Sequence, residues 1–323
     1  MPDALAELAG LTGPHPDWFR RALGVPRESA EVVVDGCPIR YLRWGDPSKP
    51  GVVFVHGFLA HSRCFAFIAP FLARDHQVVA YDVSGYGDSG HRQDYAETIR
   101  ARELLAVAEH AGMQHAPAPP TIVAHSYGAT IAMDTIEQLG DHFGGLVVCD
   151  VLMLRPDRLR AFRARASISA EPRSESPPRR IYPDLAAAMQ RFRLAPPQPV
   201  EQPFLLEYVA RHSLAPYEGA WSWKFHPSSF LVDSHGNDWW IEQPKRFVAL
   251  DHRKAIVYGE NSQLFDADTE TYLGELGATH VPMVAIPDAR HHLMLDQPLA
   301  FASTLRALLA SWASAEAPNA LRG

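Results

Sequence analysis

The chain has 323 residues, 47% of them hydrophobic and 21% charged, which is enough for one large core plus an insertion and ordinary for a soluble globular enzyme. Its formal net charge of −7 argues against nucleic acid as a partner, and the widely spaced Cys37, Cys64 and Cys149 outline neither a disulfide framework nor a zinc site. No run approaches the roughly 20 apolar residues of a membrane span, and Met1-Pro2-Asp3 starts neither a basic nor an apolar leader, so a cytoplasmic location is the default expectation.

About 30 residues of helical or irregular lead come first and include Pro14, Pro16, Trp18 and Phe19. Two alternating runs, Glu31 to Asp35 and Ile39 to Trp44, predict a hairpin turned at Gly36. Gly51-Val52-Val53-Phe54-Val55 is a continuous β-branched and aromatic run, the mark of a strand buried on both faces, and it stops at His56-Gly57-Phe58. A helix is expected near Ser62 to Ala73, a strand over Gln77 to Tyr81 and a helix from Ala96 to Ala111. Strand and helix alternating in this way predict a parallel sheet whose strand ends carry the site. The loop Asp82 to Gly90 reads as structure, its glycines supplying positive φ, and Gly85-x-Gly87 lacks the third glycine of a dinucleotide site.

The apolar run Thr121-Ile122-Val123 leads into Ala124-His125-Ser126-Tyr127-Gly128 and then a helical pattern from Ala129 to Leu139. A strand-to-helix turn this sharp needs small residues two before and two after its centre, here Ala124 and Gly128, and it pushes the serine oxygen into the open. Ser126 is therefore the nucleophile candidate. The backbone N–H groups of Phe58 and Tyr127 are candidates for an oxyanion hole, each such donor being worth about 3–4 kcal/mol in the barrier. Gly57 would let the backbone approach a substrate, while His56 is expected to shape its loop by a local hydrogen bond rather than act as a base. Further on, Val281 to Pro287 predicts a buried strand leading into His291 and His292, with Pro298 opening the final helix. His291 is the candidate base and His292 its competitor.

Taken in order, the strand with its His-Gly-Phe loop, the Asp82 to Gly90 loop, the serine elbow and the late histidine resemble the α/β-hydrolase fold superfamily, over residues from about 30 to 313. The resemblance implies a mostly parallel central sheet flanked by helices, with an inserted helical cap. It divides the chain into a first core part (1–150), a cap (151–246) and a second core part (247–323). The elbow opens with Ala124 in place of the commoner glycine. The triad acid of most relatives ends a Tyr-Gly-x-x-Asp segment, and here Tyr258-Gly259-Glu260-Asn261 is followed by Ser262. Some members take the acid from the end of an earlier strand, which makes Asp150, directly after Gly145 to Cys149, the first choice, with Glu260 and Asp266 as alternatives.

The cap segment joins short helical stretches, Arg158 to Ala166 and Tyr182 to Phe192, by proline-rich connectors. Its aromatic content, Trp221, Trp223, Phe225, Phe230, Trp239 and Trp240, predicts an apolar pocket. Residues expected to meet the substrate are His56, Gly57, His125, Trp221 and Trp223. The implied activity is a carboxylic ester hydrolase acting on a small-molecule substrate without cofactor or metal; no His-Glu-x-x-His or comparable ligand cluster stands among the sixteen histidines. The rival enzymatic reading is carbon–carbon hydrolysis of a ring-cleavage dienone, which arginines facing the pocket would favour. A third reading, from another class, is a small-molecule receptor with little turnover. Whether the chain forms a homodimer stays open.

Overall fold

Asp35 and Gly36 both take positive φ, 47° and 75°, and so turn β1 (Glu28–Val34) back on β2 (Cys37–Trp44) as a two-residue hairpin. The computed structural model describes residues 8, 10–93, 95–165, 176–228 and 237–316. Beyond the hairpin the main sheet comprises β3 (Gly51–Val55), β4 (Gln77–Tyr81), β5 (Thr121–His125), β6 (Gly145–Cys149), β10 (Lys254–Gly259) and β11 (Met283–Ile286). The strand order is β1-β2-β4-β3-β5-β6-β10-β11, and every neighbouring pair from β4 to β11 is parallel.

Side-chain alternation divides the core into two layers. Val53, Val55, Ile122, Ala124, Leu146, Val148 and Ile256 face a layer that includes residues of the helices Glu97–His110 and Tyr127–Leu139. Val52, Phe54, Val123, Val147, Cys149 and Val257 face the opposite layer, with residues of Asp17–Gly24 and of Pro298–Glu316. Burial of both faces is what forces the unbroken apolar runs of the central strands.

The expected helix over Ser62 to Ala73 is instead a tight turn, Ser62–Phe65, followed by a short helix, Ala69–Leu72. Pro70 has no N–H to give the carbonyl of Ala66, so one helix cannot run through, whereas in the first turn of the second helix the loss costs nothing. Between β6 and β10 the insertion holds the helices Pro156–Arg165, Leu185–Met189, Pro203–His212 and Asn237–Ala249. It is not purely helical. A second, antiparallel sheet joins β7 (Ile181–Tyr182), β9 (Ala220–Trp223) and β8 (Leu214–Tyr217). The stretch expected as a helix from Tyr182 begins as strand because Asp184 caps a later helix, its carboxylate accepting from the N–H of Ala187 at 2.8 Å. Residue 246 falls inside a helix that buries Phe247 in the core. Phe230 and residues 166 and 174–175 lie outside the described residues.

Cys37, Cys64 and Cys149 are all buried free thiols, and no helix among the described residues is long and apolar enough to cross a membrane. Phe54 is fully buried and stacks on Phe65 with ring centroids 4.5 Å apart. Phe54→Ala should cost about 3–5 kcal/mol of stability by urea unfolding; a loss below about 1 kcal/mol would mean that this layer is not the core.

Candidate active site

Parallel strands align their carboxyl ends, and the register sets Ser126 beside Asp150. His125 pairs with Cys149, so Ser126 and Asp150 each stand one residue past adjoining strands. Ser126 takes φ 53° and ψ −124°, while its N–H is held by the carbonyl of Cys149 at 2.9 Å. This strained turn delivers the chain straight into the helix Tyr127–Leu139, whose first N–H groups have no intrahelical acceptor. Gly128 is the steric condition for the turn: a Cβ there would lie 2.6 Å from the carbonyl oxygens of both Val55 and His56.

Asp150 is fully buried at φ 48°. One carboxylate oxygen accepts from His291 Nδ1 at 2.8 Å and from Ser262 Oγ at 2.7 Å; the other accepts from the N–H of Gly259 at 2.9 Å. Ser262, where the resemblance led an aspartate to be expected, instead donates to Asp150 at the end of the strand beside its own. With Nδ1 donating, His291 Nε2 is left as an acceptor, and among the described residues it has no hydrogen-bond partner. Burial lowers the pKa of His291 and so keeps the ring neutral. Burial lifts the carboxyl of Asp150 above its ordinary range, opposed by the donors from Gly259 and Ser262.

The alternatives are engaged elsewhere. Glu260 is exposed and accepts from the N–H of Asp288 at 3.2 Å. Asp266 caps the helix Ala267–Glu275 and pairs with Arg158 at 2.7 Å, which pulls its carboxyl down to about 2. The Nε2 of His292 donates to the carbonyl of Pro196 at 3.0 Å.

Ser126, Phe58 and Tyr127 line one cavity of about 400 Å³, together with Leu152, Phe162, Arg163, Leu194 and Trp240. His56 uses both ring nitrogens in its loop: Nδ1 donates to the carbonyl of Gly57 at 2.8 Å and Nε2 accepts from the N–H of Val83 at 3.1 Å. His125 Nε2 donates to the carbonyl of His291 at 2.8 Å, which ties the elbow to the histidine loop. Gly57, His56 and His125 line a small second niche beside Ser126. Trp221 and Trp223 are not brought to the serine. Both belong to β9 in the antiparallel cap sheet and line other cavities. Of the tryptophans the cap sequence offers, Trp240 lines the serine cavity, on the helix that also enters the core, and the same aromatic-rich composition points to it.

Cap and core meet at the histidine loop through side chains that no sequence pattern marks. Gln198 accepts from the N–H of His292 at 2.9 Å and donates to Asp296 at 3.0 Å, and Gln202 donates to the carbonyl of Asp296 at 3.1 Å.

Over residues 52–304 the sequence matches the family described as alpha/beta hydrolase. The chain belongs to that family. It spans 39–41% of the length of the first curated relatives it matches. One of these is the 1H-3-hydroxy-4-oxoquinoline 2,4-dioxygenase of Pseudomonas putida, 32% identical over 33% of this chain and 39% of that protein. A longer match, 22% identical over 93% of this chain and 86% of the relative, is to monoacylglycerol lipase abhd6-B of Xenopus laevis. Among solved structures, a thioesterase domain from the curacin biosynthetic pathway superposes with a TM-score of 0.67 at 23% identity, covering 87% of this chain and 99% of that one. That likeness shows the fold.

Gly128→Ala should lower stability by about 1–3 kcal/mol as the elbow is forced away from β3, read as a shift of the thermal midpoint; no shift would contradict the close approach. The histidines around the site set a second expectation. Burial pushes His56 down to about 4 and His61 and His292 to about 3, and lowers His125 as well. The unfolded chain, with ordinary values near 6.5, then binds protons that the folded chain refuses, so stability rises with pH in this range and falls as pH drops from about 6.5 toward 3. Calorimetry should find a flat thermal midpoint above about pH 7 and a steep decline below 6. A midpoint unchanged down to pH 4 would show that these rings are not held neutral.

Proposed function

We propose that the protein hydrolyses a carboxylic ester of a moderately lipophilic small molecule through an acyl-enzyme, with Ser126 as nucleophile, His291 as base and Asp150 as the acid that orients it. The observation that carries this reading is the buried Asp150–His291 hydrogen bond at 2.8 Å, at the strand edge where Ser126 is presented in a strained elbow. The carboxylate fixes the tautomer, so that the lone pair on Nε2 is available to take a proton.

Ser126 Oγ attacks the carbonyl carbon while its proton passes to His291 Nε2. The oxyanion lies against the N–H groups of Phe58 and Tyr127, the latter at a helix N-terminus whose dipole favours negative charge. Collapse breaks the ester bond, and His291 gives its proton to the leaving alcohol. Water then yields a proton to His291, adds to the acyl carbon, and the acid departs as Ser126 regains its proton. Residues 151–246 serve as a cap that excludes water and supplies the acyl pocket, with Phe162 and Trp240 as its apolar wall.

Arg163, which lines the same cavity, favours a second reading: hydrolysis of a carbon–carbon bond in a ring-cleavage dienone whose carboxylate it would meet. Turnover of p-nitrophenyl butyrate compared with a dienone acid separates the two. On the favoured substrate, Ser126→Ala should reduce kcat by at least about 10³-fold and Asp150→Asn by about 10³–10⁴-fold. Full activity in Ser126→Ala would overturn the mechanism, and full activity in Asp150→Asn would overturn the assignment of the acid.

A further inference from the structure

A second cavity, of about 390 Å³, lies in the cap, and Arg179, Arg180, Arg191 and Arg193 line it with Trp223 and Phe225. Among the described residues no carboxylate lines it. This runs against both the composition, with 37 acidic residues to 30 Lys and Arg, and the habit of the chain elsewhere. Arg155, Arg158 and Arg246 each bridge two carboxylates. The groove arginines use neutral partners: Arg179 donates to the carbonyl of Trp223 at 3.0 Å and lies 4.8 Å from the ring centre of Tyr217, and Arg193 donates to the carbonyls of Gln190 and Phe192 at 2.9 and 2.6 Å. Among the described residues none of the four makes an ion pair. The rings of Trp223 and Phe225 are stacked at 6.1 Å and 6°, and they give the groove an apolar floor.

The groove and the serine cavity share a wall. Leu59 lines the groove and Phe58 the serine cavity; Arg193 lines the groove and Leu194 the serine cavity. Two chain segments thus turn one residue to each side. Guanidinium forks match carboxylate and phosphate oxygens. We infer that the cap groove binds an anionic arm, carboxylate or phosphate, of the ester or thioester whose carbonyl is attacked by Ser126. The inference rests on the acyl-transfer reading above and narrows its substrate class: the scissile carbonyl sits in an apolar cavity, and the charge of the substrate lies beyond the Phe58-Leu59 wall.

The test compares kcat/KM for neutral p-nitrophenyl butyrate, for mono-p-nitrophenyl glutarate, which carries a carboxylate on the acyl arm, and for butyryl-coenzyme A, which carries phosphates on the leaving group. The wild type should prefer one of the two anionic substrates to the neutral ester, and the identity of that substrate tells carboxylate from phosphate. In the double variant Arg180→Ala/Arg191→Ala the ratio of anionic to neutral kcat/KM should fall about tenfold, the scale expected for two solvent-exposed charge contacts. A ratio within one protein cancels any loss of folded enzyme. Equal ratios in wild type and variant would overturn the inference while leaving the ester reading in place. If no substrate is turned over, calorimetric titration of glutarate and of coenzyme A into both proteins decides the groove separately. Binding that is weakened in the variant upholds the anion site and overturns the ester reading, whereas no binding, or equal binding, overturns the anion site.

Discussion

Six parallel strands, β3, β4, β5, β6, β10 and β11, end at one edge of the sheet, and each residue of the candidate triad stands within five positions of such an end. Hydrogen bonding between strands fixes those ends in register, and burial of both faces prevents slippage, because a shift by one residue would turn every core side chain to the wrong layer. The site is therefore as rigid as the core beneath it. Ser126 and Asp150 both adopt positive φ immediately after their strands, and in each the backbone N–H is anchored to the neighbouring strand, Ser126 to Cys149 and Asp150 to Val257 at 2.8 Å. The ladder that builds the sheet also holds the strain.

A fully buried carboxylate is costly unless its lone pairs are filled. Asp150 meets this condition with one donor from the His291 ring, one from a backbone N–H and one from a hydroxyl. Ser262 is the economical part of this arrangement. Where a second aspartate would set two negative charges against each other, a hydroxyl donates instead and supports the acid from β6. His125 adds an equivalent restraint on the other side, since its donation to the carbonyl of His291 fixes the backbone of that residue rather than its ring.

Much of this was legible because it is local. A strand stop, a sharp small-x-Ser-x-Gly turn and an aspartate at the next strand end are each short-range patterns, and the absence of an acid at Ser262 pointed to the residue that the structure brings to His291. The cap was less legible because its order is not local. β7 pairs with β9 across some 40 residues, Ile181 opposite Ser222, and strands of two to four residues are too short to show alternation. Aromatic richness correctly announced apolar surface, yet it could not say which rings face which cavity, so Trp221 and Trp223 were expected at the serine and Trp240 stands there instead. The contacts of Gln198 and Gln202 with the histidine loop carry no composition signal at all; they depend on where the cap settles on the core.

The division of the cap into an apolar cavity and an arginine-lined groove separates two tasks that conflict in one space. Acyl transfer needs a dry cavity in which the developing oxyanion meets only its designated donors, and a fixed negative charge on the substrate close to that oxyanion would oppose it. On the proposed reading, a wall of two chain segments would keep such a charge away from the carbonyl while still using it for binding. The net charge of −7 does not work against this. At physiological ionic strength fields decay over about 8 Å, so an approaching anion responds to the guanidinium groups that line the groove rather than to acids on the far surface. On the proposed reading, specificity is set by the cap segments that carry those arginines, while the strand edge beneath sets the chemistry.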